Sequence, residues 1–120
     1  MWEVTDADQL RWQAAAITRL STLVRMAGET GLPVLTWTVG PTGGLVGAVI
    51  GPDADRRTAF ELWAAAIGAN RRREHTNPSE VTRLYAAALN EFGTAEVAIT
   101  ATLFPPDDTD AETTTGSDVR

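Results

Sequence analysis

The stretch LPVLTWTVGPTGGLVGAVIGP, residues 32–52, constrains the fold more than any other part of the chain. Two apolar runs rich in β-branched and aromatic residues, Val34 to Val39 and Leu45 to Ile50, flank Gly40-Pro41-Thr42-Gly43-Gly44. The glycines of that loop tolerate the positive φ angles of hairpin turns, so the stretch predicts a β-hairpin. Side chains alternate across a strand, which puts Leu35, Trp37 and Val39 on one face and Val34, Thr36 and Thr38 on the other. The second run is apolar on both faces, with Gly47 and Ala48 keeping it narrow.

Helical patterns adjoin the hairpin. Asp6-Ala7-Asp8-Gln9 has the form of a capping box, and Leu10, Ala14, Ile17, Leu20, Val24 and Ala27 follow at three- and four-residue spacing. This predicts an amphipathic helix whose stripe faces the sheet, closed by Gly28 or Gly31 and stopped by Pro33. Trp2 and Trp12 are expected to cover one end of the core. After Gly51-Pro52, Asp53 or Asp55 can cap a second helix with Phe60, Trp63, Ala66 and Ile67 on its apolar face. Residues 70–76 lack periodicity and are expected as an exposed loop. Asn77-Pro78-Ser79-Glu80, followed by Val81, Leu84, Tyr85, Ala88, Leu89 and Phe92, predicts a third helix. Ala95 to Phe104 alternates as a third strand.

The expected architecture is α+β in two layers: a small, mainly antiparallel three-stranded sheet with three helices on one face, in the order α-β-β-α-α-β. Residues 1–104 form one expected domain. Residues 105–120, too polar to offset their ordering entropy, are expected as a disordered acidic tail. A chain of 120 residues is long enough to bury one core.

Charge and composition exclude several chemistries. The formal net charge is −6, of which Asp107, Asp108, Asp110, Glu112 and Asp118 against Arg120 place −4 beyond Pro105 and leave −2 on residues 1–104. An acidic total disfavours a general duplex-DNA binder. Without cysteine or lysine there is no disulfide, thiolate, Schiff-base lysine or P-loop lysine chemistry. No apolar run reaches the ~18 to 20 residues of a membrane span, and the first residues do not form a signal peptide, so a cytoplasmic protein without membrane contact is expected.

The glycines of the hairpin lack the Gly-Lys-Ser/Thr of a P-loop and the spacing of a dinucleotide fingerprint. His75 is the single histidine, which excludes a His-His metal pair, and nothing near it marks a nucleophile. No catalytic, cofactor or metal-ligating residue is therefore assigned. The concentrated positive feature is Arg71-Arg72-Arg73, which Arg56 and Arg57 can join in space. With His75 these form a candidate anion- or partner-binding set, because arginine forks match carboxylate and phosphate. A candidate interface is the outer sheet face, with Thr36, Thr38, Val46, Ala48, Ile50, Thr100 and Thr102.

Gly31-Leu32-Pro33-Val34-Leu35-Thr36-Trp37-Thr38-Val39, Gly44-Leu45-Val46-Gly47 and Arg57-Thr58-Ala59-Phe60-Glu61-Leu62-Trp63 through Gly68 together cover about the middle third. In these segments the chain resembles short uncharacterised α+β proteins of actinomycetes and their phages or mobile elements. That resemblance implies no activity. The helix, hairpin, helix order is also similar to roadblock-type and profilin-like scaffolds, which act through protein contacts, although a single strand is expected here after the later helices.

The expected function is a small non-enzymatic protein-protein interaction domain, accessory or regulatory, acting as a homodimer. Its tryptophans, four in this length, are a residue type enriched at binding hot spots. The alternatives are a nucleic-acid or phospholigand binder using the arginines, and an enzyme with a site assembled from distant residues.

Overall fold

The hairpin forms where its sequence places it. In the computed structural model, which describes residues 3–105, β1 (Leu35–Val39) and β2 (Leu45–Val49) pair antiparallel from Leu35 opposite Val49 to Val39 opposite Leu45. The Gly40 amide donates to the Gly44 carbonyl at 2.8 Å and the Gly43 amide to the Gly40 carbonyl at 3.0 Å. Gly43 has φ 88°, a conformation that disfavours any residue with a Cβ.

α1 (Asp6–Thr30) begins at Asp6 as expected, with its cap one residue earlier than expected. Thr5, not Asp6, is the N-cap: its hydroxyl accepts from the Asp8 amide, and the Asp8 carboxylate accepts from the Thr5 amide, both at 3.1 Å. Together these satisfy two backbone donors reciprocally. The Thr5 amide, reinforced by the Arg11 guanidinium at 2.6 Å, holds the Asp8 carboxyl below its usual range. Gly31, at φ 76°, closes the helix. α2 (Asp53–Ala66) starts at Pro52 with no side-chain cap. Asp53 and Asp55 sit in its first turn, where they favour the positive end of the helix dipole without capping it.

The largest departure from expectation lies in residues 70–93. No helix forms in this segment: the expected loop is β3 (Arg71–Thr76) and the expected helix is β4 (Thr82–Leu89), paired antiparallel from Arg71 opposite Ala87 to Thr76 opposite Thr82. Asn77 explains the misreading. Its side chain accepts from the amides of Ser79 at 2.9 Å and Val81 at 3.0 Å, while its own amide donates to the Val81 carbonyl at 3.0 Å. An asparagine that can cap a helix can equally fold a turn, and here it closes a hairpin loop. The sequence Thr82-Arg83-Leu84-Tyr85-Ala86-Ala87-Ala88-Leu89 satisfies a period of two as well as a period of 3.6. Alanine favours the helix in isolation, but pairing on both edges outweighs propensity.

β5 (Ala95–Leu103) then enters the middle of the sheet, antiparallel to β4 and parallel to β2, with a bulge at Ala88/Leu89. Among the described residues the result is two helices on a five-stranded mixed sheet of order β1-β2-β5-β4-β3, not three helices on three strands. Both helices cover the same face. Its rows run Leu35, Val49; Trp37, Gly47, Ile99, Ala86; and Leu45, Val97, Ala88 in register, and most of these residues are buried. Phe60, Trp63 and Ala64 of α2 close the core from above.

α1 meets this core by an unexpected side. Ala16 is its one buried residue, with Leu20, Leu23, Met26 and Ala27 packed partly against the core. Of the stripe expected to face inward, Leu10 is 65%, Ile17 56% and Val24 52% exposed. Trp12, Ala16, Leu20, Leu23 and Ala27 also recur at three- and four-residue spacing, so the helix carries two such stripes and the less apolar one packs on the sheet. No described helix is long and apolar enough to cross a membrane. Trp2 and the expected acidic tail from residue 106 lie outside the described residues.

Candidate functional site

The face of the sheet opposite the helices carries no helix among the described residues, and register fixes what stands on it. One row reads Thr36, Ala48, Thr100, Tyr85, Arg73 from β1 to β3; the next reads Thr38, Val46, Ala98, Ala87, Arg71; a third reads Thr102, Arg83, His75. Ile50 follows Val49 out of β2 with its side chain 48% exposed. Thr36, Thr38, Val46, Ala48, Thr100 and Thr102 of the expected interface therefore share one side of the molecule, whereas Ile50 lines a recess with Asp55, Thr58, Ala59 and Leu62 of α2. Ala87 and Ala98 form its low floor, 0% and 6% exposed between taller neighbours.

Strand alternation divides the arginine set between two faces. Arg72 and Glu74 point toward α2, where Arg72 pairs with Glu61 and lies 5.5 Å from the Phe60 ring centroid. Arg57 forks onto Glu74 at 3.3 and 3.2 Å. That contact holds the Glu74 carboxyl below its usual range and raises Arg57. Arg56 donates to the carbonyls of Gly51 and Thr102, each at 3.0 Å, and pairs with Asp53 at 3.3 Å, so it ties the start of α2 to the end of β5. These three arginines hold the fold together. Arg71, Arg73 and His75 point the other way, onto the helix-free face, and are exposed.

Two residues there escaped the sequence reading. Arg83 stands between His75 and Thr102, and Tyr85 stands beside Arg73, whose guanidinium lies 4.6 Å from the ring centroid. Both fall in the segment expected as a helix, which scattered them around a cylinder. The alternation of Arg83 and Tyr85 with Leu84 and Ala86 was the available signal. Arg71, Arg73 and Arg83 have no ion pair among the described residues, whereas Arg11, Arg56, Arg57 and Arg72 each have one. The face thus grades from uncharged threonine, valine and alanine on β1, β2 and β5 to a positive margin on β4 and β3.

A second surface lies on the helix side, at the free edge of β1. A groove of about 310 Å³ runs between α1 and this edge, lined among others by Val24, Gly28, Val34, Trp37 and Trp63. Its walls are almost wholly apolar, and Val34 on its rim is 76% exposed. Among the described residues no group of three or more His, Asp or Glu side chains is placed to hold a metal ion. Comparison with protein-family models, curated proteins and solved structures finds no match to the chain.

Proposed function

We propose that the chain is a non-enzymatic interaction domain whose helix-free sheet face binds an acidic protein segment. One observation carries this reading: Arg71, Arg73 and Arg83 stand on one face, exposed and without ion pairs among the described residues, beside a flat uncharged floor. Elsewhere on β3 and α2 the chain neutralises its arginines with Glu61 and Glu74. The three unneutralised guanidiniums on a single margin are complementary to carboxylates arriving in a row. Threonine hydroxyls at Thr36, Thr100 and Thr102 add neutral donors and acceptors across the floor.

A single-stranded nucleic acid would use the same arginines, with bases stacking on Tyr85. Arg73 already occupies a position over that ring, 4.6 Å from its centroid, and so competes with a base for the stacking surface. Binding of fluorescent poly-glutamate and of a single-stranded oligonucleotide, measured by anisotropy at low salt, separates the two. Changing Arg71, Arg73 and Arg83 together to serine should weaken poly-glutamate binding by about thirtyfold, or roughly 2 kcal/mol. The thermal midpoint should stay within the change expected of exposed substitutions, about 0.5 kcal/mol. Tight oligonucleotide binding with none to poly-glutamate would replace this reading by the nucleic-acid one.

A further inference from the structure

The geometry points to self-association through α1: we infer that two copies of the chain pair their first helices antiparallel along the outward stripe that contains Leu10, Ile17 and Val24. This surface is separate from the helix-free sheet face and does not depend on the reading given for it.

The stripe has a regularity that a solvent-facing helix does not need. Leu10, Ile17 and Val24 recur at seven-residue intervals, and Ala7, Ala14, Ser21 and Gly28 recur at the same interval, offset by four. All seven are exposed. Large apolar residues at one seam position and only small ones at the other is the pattern of a close helix pair, in which each large side chain enters the space left by a small one. Two antiparallel copies satisfy it throughout: Leu10 meets Gly28 of the second copy, Ile17 meets Ser21, Val24 meets Ala14, and the reciprocal contacts follow by symmetry. Parallel copies would set large on large and small on small, leaving crowded and empty layers in alternation.

The groove at the β1 edge supplies a further point of fit. Gly28 and Val24 line it, so Leu10 of the second copy, packing against Gly28, arrives at its mouth. A leucine that is 65% exposed in one copy thereby finds an apolar recess in the other. A two-fold pairing is isologous and closed, which limits assembly to the dimer. A seam of three heptads lies near the ~1,000 Å² floor for specific interfaces, and a micromolar dissociation constant is expected.

Sedimentation equilibrium on the full chain over a range of concentrations reads the dimer directly. Ile17→Glu should raise the dissociation constant at least a hundredfold, while the thermal midpoint measured where both proteins are monomeric stays unchanged. Orientation is read by cross-linking, which the absence of native cysteine makes clean. A Leu10→Cys chain mixed with a Gly28→Cys chain should oxidise to a mixed dimer, and the Leu10→Cys chain alone should not cross-link. A strict monomer at high concentration, a dimer indifferent to Ile17→Glu, or efficient self-cross-linking of the Leu10→Cys chain would each overturn the inference.

Discussion

Replacing Trp63 by alanine should leave the domain largely unfolded at physiological temperature. Trp63 is 1% exposed and among the largest fully buried side chains. Its indole N–H donates to the Pro33 carbonyl at 2.8 Å, and its ring meets that of Trp37 edge-on, with centroids 5.5 Å apart and planes at 77°. One residue of α2 therefore fixes both the entry to β1 and the β1 side chain that looks inward. Truncating a buried tryptophan costs about 3 to 5 kcal/mol, and stranding the Pro33 acceptor adds about 1 to 3 kcal/mol. Against a total stability of roughly 5 to 15 kcal/mol this is most of the margin. In a domain of this size each kcal/mol moves the midpoint by about 4 to 8 °C. Thermal and urea denaturation should therefore show a fall on the order of 20 °C or more for Trp63→Ala. Trp63→Phe, which retains an aromatic ring and loses the N–H, should lose about 1 to 3 kcal/mol. A shift of only a few degrees for the alanine variant would mean that α2 is held to the hairpin by something else.

The next largest effect is expected from Gly43→Val, at the opposite end of the same layer. Gly43 has φ 88°, and a Cβ placed there would lie 2.8 Å from the backbone carbonyl oxygen of Trp12. A left-handed backbone costs an L-residue about 1 to 2 kcal/mol. The overlap is with the backbone of α1, which no rotamer change can relieve, so the helix must move away from the hairpin loop. That displacement also stretches the bond from Gln13 Nε2 to the Gly40 carbonyl, now 3.3 Å. Overpacking of this kind adds about 1 to 3 kcal/mol, for a total on the order of 2 to 5 kcal/mol. Gly44→Ala is the control, because the nearest atom to its Cβ, the Ala95 carbonyl oxygen, is 3.8 Å away. Equal midpoints for the two variants would show that α1 does not bear on the loop.

What the sequence made legible was local and what it hid was relational. Hairpin residues 35–49 announce themselves because glycine at a loop and β-branched residues around it agree on one structure. The fifth strand is equally plain, since Val97, Ile99, Ala101 and Leu103 alternate without ambiguity. The failure at Thr82–Leu89 has a specific cause: three consecutive alanines erase the contrast by which a period of two is told from a period of 3.6. That misreading removed Arg83 and Tyr85 from the surface to which they belong, and the charged run Arg71–Thr76, exposed along its whole length, carries no apolar alternation to mark it as a strand. For α1 the period was right and the rotation wrong. Two stripes of similar spacing compete for the sheet, and the winner is decided by shape, Ala16 allowing the close approach that Ile17 would prevent. The candidate residues were thus mostly visible, while their division into those that hold α2 and those that face outward was not.

The parallel pairing of β2 with β5 sets the order in which the molecule can assemble. Every other strand contact joins sequence neighbours: β1 with β2, β3 with β4, β4 with β5. Leu45 opposite Val97 instead spans α2, β3 and β4, so this seam closes the longest loop in the sheet. Two sequence-local halves, a helix with its hairpin and a three-stranded meander, can form early and meet along it. Val97, 5% exposed on this seam, is the place to look. Val97→Ala, which loses contact with Leu45 across the seam and with Ala88 inside the meander, should act mainly by speeding unfolding, with a φ-value well below one. A φ-value near one would mean instead that the two halves find each other before either is complete, and that the seam is the nucleus on which the chain condenses.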